Sequence, residues 1–160
     1  MKQAVQSVCV PVGPGIQIKI GKPEECWKTL ASLICRRACA IYERRATTRE
    51  EGPEIWHLAE SQIERPLCCG MLKLNRGWQI SFDAAEMGTT EIDVCVEPRR
   101  LILLGKKSIG GTGATDSVVR VLKLPNEVDP GTVSMRREGP IIDIELQDAE
   151  PGQHRAAARA

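Results

Sequence analysis

The chain has 160 residues, enough for one domain or a small domain with an appendage, and 42% of them are hydrophobic, enough to build a real core. With 22 basic against 21 acidic side chains, a net charge of +1 and only 3% aromatics, it has no electrostatic or base-stacking case for nucleic acid and none for an anionic membrane. No apolar run approaches the roughly 18–20 residues that a membrane span needs.

The opening "MKQAVQSVCVPVGPG" carries one lysine and no long apolar stretch. No secretory signal is read there, and a cytoplasmic location is expected. The seven cysteines then default to reduced, mostly buried thiols. Residues 1–22 form an N-terminal extension in which "IQIKI" alternates as a short strand. From Pro23 the period changes. Trp27, Leu30, Ala31, Ile34, Ala38, Ile41 and Tyr42 recur at helical spacing, which predicts an amphipathic helix over 24–46. Pro23, Glu24 and Glu25 suit its first turn, and Arg44 and Arg45 its last.

"TTREEGPE" breaks the helix, and Gly52 and Pro53 open a second one over 53–65 carrying Ile55, Trp56, Ala59 and Ile63. Pro66 ends it. Residues 23–66 therefore read as an antiparallel helical hairpin whose small core must lean on something else.

From Leu67 the period is two. Leu72 and Leu74, then Trp78, Ile80 and Phe82, then Ile92, Val94 and Val96 alternate with polar residues. "NRG" at 75–77 predicts a tight turn with Gly77 left-handed. "RRLILLGKK" is more continuously apolar, and "VVRVLKL", "TVSMRR" and "PIIDIEL" follow. About seven short strands with turn signals between them predict an antiparallel, immunoglobulin-like β-sandwich over 67–148. Trp78, Ile80, Phe82, Val94, Leu103, Val121 and Ile144 are its expected inward positions. The tail at 149–160 has no apolar stripe and reads as disordered.

Within "VVRVLKLPNEVDPGTV", Pro125 cannot donate to a sheet and ends a strand, while Asn126, Asp129 and Pro130 favour a turn. The chain leaves one sheet there and enters the other at a fixed offset, since a one-residue slip would turn each apolar side chain outward.

Sites for chemistry are weak. "LGKKSIGGTGATD" lacks the glycine spacing and following helix of a phosphate loop and reads as a flexible connection over 106–117. Cys35 and Cys39, with Cys68 and Cys69, make no CxxC pair and read as small buried residues of a helix–sheet contact rather than a metal site. His57 has nothing to orient it as a base. Asp93, Asp143 and Glu145 alternate with apolar neighbours as a solvated face. No catalytic residue, metal ligand or cofactor is assigned, and ATP is not expected to bind.

The segment "VVRVLKLPNEVDPGTVSMRREGPIIDIEL" resembles the C-terminal half of an α-crystallin domain, the core of the small heat-shock proteins (Hsp20). The matching residues are Arg120, Leu124, Pro125, Val128, Asp129, Val133, Gly139 and Ile141. Upstream, "EIDVCVEPRRLILLGKK" resembles the preceding strand pair through Leu101, Leu103, Gly105 and Lys106. The helical segment, with Trp56, Ala59 and Glu60, resembles a small bacterial module, DUF2934. The chain departs from the small heat-shock pattern at "AEMGTTEI", at "GPII", and in a tail without an Ile-x-Ile/Val motif.

The resemblance implies an ATP-independent chaperone that holds partly unfolded proteins, with no enzymatic activity. It also implies that Ile92, Val94 and Val96, with Val133 and Met135, border an apolar groove for client peptides, although some of them must be plain sandwich core. The runner-up is a non-catalytic adaptor binding one defined protein partner, and a cysteine-based redox or metal sensor is a third reading. A monomer or small homo-oligomer is expected, because the 106–117 connection looks too short and glycine-rich to carry an exchanged strand.

Overall fold

The computed structural model describes residues 16–44, 52–109 and 114–151. Expectations for residues 1–15, the 45–51 link, the glycines at 110–113 and the tail past 151 lie outside the described residues.

Two sheets face each other. One has four antiparallel strands, β3 (Gly70–Leu74), β4 (Gly77–Asp83), β9 (Ile141–Gln147) and β8 (Ser134–Glu138), in the order β3-β4-β9-β8. The other has five, in the order β1-β5-β6-β7-β2: β1 (Gln17–Ile20), β5 (Glu91–Glu97), β6 (Arg100–Ile109), β7 (Ala114–Lys123) and β2 (Glu64–Pro66). The seven strands β3–β9 make the expected sandwich, and their antiparallel ladders follow the alternation seen in the sequence. The short strands β1 and β2 pair in parallel, β1 with β5 and β2 with β7, so the five-stranded sheet is mixed rather than purely antiparallel.

Between β1 and β2 run α1 (Pro23–Arg44) and α2 (Gly52–Ile63). The hairpin thus begins at one edge of the sheet and ends at the other, lying across its outer face. Its inward residues Leu30, Ile34, Ile41, Ile55 and Ala59 pack with Ile102, Leu104 and Val119. This answers what the hairpin leans on. It also explains "LILL" in β6: Leu101 and Leu103 face the opposing sheet while Ile102 and Leu104 face the helices, so both sides of the strand are buried.

Ile80, Phe82, Val94, Leu103 and Ile144 are buried in the sandwich as expected, and Trp78 sits half-buried at its rim. Val121 is a correction, since its side of β7 faces the helices. Trp27 and Tyr42 also depart from the expected stripe. They are exposed, and Cys26 takes the inward place at the start of α1. The second helix stops at Ile63, and residues 64–66 are strand, because a residue before proline is held extended. Gly77 is not left-handed; only Gly88 and Gly139 are, among the described residues. A Cβ at Gly77 would lie 1.8 Å from the Leu146 carbonyl oxygen, so that glycine serves close strand approach.

The expected loose connection over 106–117 is overturned. The β6–β7 ladder continues through Lys106↔Ser117 to Ile109↔Ala114. Once the ladder from Arg100 onward has fixed the register, extending it closes little additional loop.

Candidate functional site

The corner after β7 behaves as the sequence demands. Leu124 and Val128 are buried, the Leu124 and Val128 amides donate to the Arg99 and Pro98 carbonyls, and the Asp129 amide donates to Gln147 O. The Asp129 side chain accepts from Gly131 N at 2.9 Å and caps the short turn Pro130–Thr132. Pro125 is exposed at the bend. Gly139 takes φ +59° in the β8–β9 turn. Gly105 is needed for packing: a Cβ there would meet Thr89 side-chain atoms at 2.7 and 2.8 Å. Arg120 is half-buried on β7 and donates from Nη1 to Val119 O. The corner from Leu124 to Thr132 carries the chain from β7 of one sheet into β8 of the other.

The residues expected to border a groove belong to one apolar cluster. Ile92, Val94 and Val96 point inward from β5, Val133 leads into β8, and Met135 is half-buried on β8. β1 lies along β5 and adds its isoleucines to the same cluster. In register, Ile18 stands beside Ile92 and Ile20 beside Val94. Ile18 is 5% exposed, and Ile16 and Ile20 pack against the same cluster. The Gln17 amide donates to Thr90 O at 2.8 Å and the Gly21 amide to Val94 O at 2.9 Å. Arg137 of β8 reaches over to donate to the Ile16 carbonyl at 3.0 Å. Outside, Lys19 pairs with Asp93 at 3.7 Å. The extended Ile-x-Ile-x-Ile segment is therefore held by strand pairing along β5 and by apolar contact with the sandwich cluster.

Just past β1, Cys26 of α1 is joined to Cys95 of β5 by a disulfide. This corrects the expectation of reduced thiols throughout. Cys35, Cys39 and Cys68 are free and exposed rather than buried in the helix–sheet contact, because the inward positions of α1 belong to Cys26, Leu30, Ile34 and Ile41. Cys69 is half-buried, and that burial, with Cys68 beside it, pushes its thiol upward from the ordinary value. His57 is exposed on α2, 3.5 Å from Glu60. No helix among the described residues is long and apolar enough to cross a membrane.

The opposite edge of the sheet is polar. Arg100 donates to Glu97 and to Glu64, the latter at 3.4 Å, with the Trp27 ring over its guanidinium at 5.9 Å. Burial holds the Glu64 carboxyl above its usual value despite Arg100, and the hydrogen bond to Glu97 holds Arg100 further up.

No family model matches the chain, the helical segment included. No curated protein matches it. Among solved structures, the heat-shock protein HSP18.5 from E. histolytica is similar over 56% of this chain and 92% of its own, at 14% identity and a TM-score of 0.40. Stress-induced protein 1 from Caenorhabditis elegans is similar over 52% and 90%, at 17% identity and a TM-score of 0.39. A rat alpha crystallin domain is similar over 52% and 93%, at 18% identity and a TM-score of 0.37.

Proposed function

We propose that this chain is an ATP-independent holdase of the small heat-shock kind, which captures extended apolar segments of partly unfolded proteins in the groove between β5 and β8. The observation that carries the reading is the state of that groove. It already holds one extended segment with apolar residues at alternate positions, bound through the main chain along β5 and through Ile18 into the cluster of Ile92, Val94 and Val133. Backbone pairing of that kind tolerates many sequences, and alternate apolar pockets ask only for a common pattern, which is what a binder of unfolded chains needs. Met135 at the rim suits irregular guests. A second apolar surface lies on β3, where Leu72 is 59% and Met71 36% exposed on an edge strand.

In this reading β1 is a resident occupant that a client displaces. The same closure favours a second reading, an adaptor for one protein partner whose own segment outcompetes β1. Several unrelated proteins heated with and without the chain, in the absence of ATP, decide between them. Suppressed light scattering for most of them, stronger with Ile18→Glu, which drives β1 out, supports the holdase. Failure of both wild type and Ile18→Glu to suppress any of them overturns it in favour of the adaptor.

A further inference from the structure

We propose that the Cys26–Cys95 disulfide is a redox latch on β1: closed, it keeps the groove filled by its own strand; reduced, it lets that strand leave. The inference rests on reading the groove as a peptide site.

The position of the bond makes the case. Ile20, the last residue of β1, pairs with Val94, and the next residue of β5 is Cys95. Cys26, in the first turn of α1, is bonded to it. The chain is thus fastened covalently to β5 six residues past the end of β1, which favours fraying of that strand from its Ile16 end. Its other holds are modest. It is four residues long, its ion pair is made by a Lys19 side chain 59% exposed, and Ile18 is its one buried side chain. At the Ile20 end, β1 is also held by its ladder to Val94, by the half-buried Ile20 and by the hydrogen bond from Gly21 N to Val94 O.

Gly21 links the latch to the strand sterically as well. A Cβ at that position would lie 2.8 Å from Cys26 Sγ and 3.2 Å from Cys95 Sγ, so the bare backbone of residue 21 lies directly over the bond. Both cysteines are buried, at 4% and 0% exposure. A reductant reaches the sulfurs when Gly21 lifts, the same movement that begins the release of β1. Opening and reduction therefore favour each other. The reductant is a dithiol. One of its thiolates attacks a sulfur of the bond and its second thiol resolves the mixed disulfide. Two electrons and two protons pass to the protein, which leaves with two thiols, and the reductant leaves as its own disulfide. The other described cysteines, Cys35, Cys39, Cys68 and Cys69, are already free, so among the described residues this is the bond that reduction breaks.

Two readouts on the full chain separate the latch from the groove. Hydrogen exchange at the Gln17 and Gly21 amides reads the release of β1 directly. Complete reduction by dithiothreitol, verified by thiol count, is expected to speed both by at least about tenfold, and the Cys26→Ser/Cys95→Ser chain is expected to behave as the reduced protein without reductant. Equal exchange in oxidised and reduced protein overturns the latch. Fluorescence anisotropy with a labelled GIQIKIG peptide reads the groove. Binding at least about tenfold tighter to reduced than to oxidised protein supports the whole inference. Binding to Ile18→Glu but equally to both redox states of wild type leaves the groove intact and overturns the latch. Faster exchange on reduction with no peptide binding, even by Ile18→Glu, supports the latch and overturns the groove as a peptide site.

Discussion

The five-stranded sheet ends in two short parallel strands built in opposite ways. At one edge β1 inserts isoleucines between the sheets and is tied down by a disulfide just beyond its end. At the other, β2 buries little: Arg65 and Pro66 are exposed, Glu64 is half-buried, and beyond its backbone pairing with β7 the strand is tied by Glu64 to Arg100, which also pairs with Glu97 and lies near Trp27. Both strands flank the same helical hairpin, so besides its apolar seat on the sheet's outer face the hairpin has one apolar, covalent flank and one ionic flank. The lesson is where the molecule can open. In the proposed function, apolar contact and the Cys26–Cys95 bond are released together at β1, which would expose the edge of β5. Release at β2 would expose charges and a proline, which offer an extended apolar segment nothing to bind.

The difference sets an order of effects. Ile18→Ala is expected to weaken the docking of β1 most, by about 2–4 kcal/mol, since it removes that strand's one buried side chain from a closed cluster. Exchange at the Gln17 amide in the oxidised protein measures this; a change under about 0.5 kcal/mol would show that the backbone bonds and the disulfide, not Ile18, hold the strand. Arg100→Met should cost less, about 1–2 kcal/mol in urea unfolding. It strands two carboxylates, but the Arg100 and Glu64 side chains are still 24% and 15% exposed, so water offsets part of the loss. A cost above that of Ile18→Ala would reverse the ranking of the two anchors.

The sequence reading succeeded where the pattern is local and failed where the partner is distant. The alternation of Trp78, Ile80 and Phe82 and the proline-bounded corner at 124–130 are set by neighbours a few residues away, and both stand in the structure as expected. "IQIKI" is legible as a strand, but its partner begins at Glu91 and nothing in five residues says that they add to an edge in parallel. The same holds for Cys26 and Cys95, 69 residues apart with no motif spacing to join them. The 106–117 connection was obscured by composition: its glycines signal a loop, while the long β6–β7 ladder extends pairing into it. Alternation brings Ile92, Val94, Val96, Val133 and Met135 into one cluster, while β1, which also packs there, lies outside the sandwich sequence and carries no signal of its partner.

The smallest expected effect tests whether the ionic anchor is an attraction or a tolerated cost. Burial raises the Glu64 carboxyl above its ordinary value, and the pull of Arg100 does not cancel this. Between the unfolded value and the raised folded one, the native protein holds a proton that the unfolded chain has lost, so stability falls as pH rises through that window. Above the window the ionised carboxylate opposes folding; below it the carboxyl is neutral in both states. Glu64→Gln removes the titration and keeps an oxygen to accept from Arg100, which still has Glu97. The variant should therefore be more stable than wild type at neutral pH, by under about 1 kcal/mol at so incompletely buried a site. The gain should shrink as pH falls through the window and vanish below the ordinary glutamate value. Urea unfolding of both proteins from pH 4 to pH 8 measures it. A variant less stable at neutral pH, with the deficit fading in acid, would mean that attraction to Arg100 outweighs burial, and that the β2 edge is clamped by charge as firmly as the β1 edge is by its isoleucine.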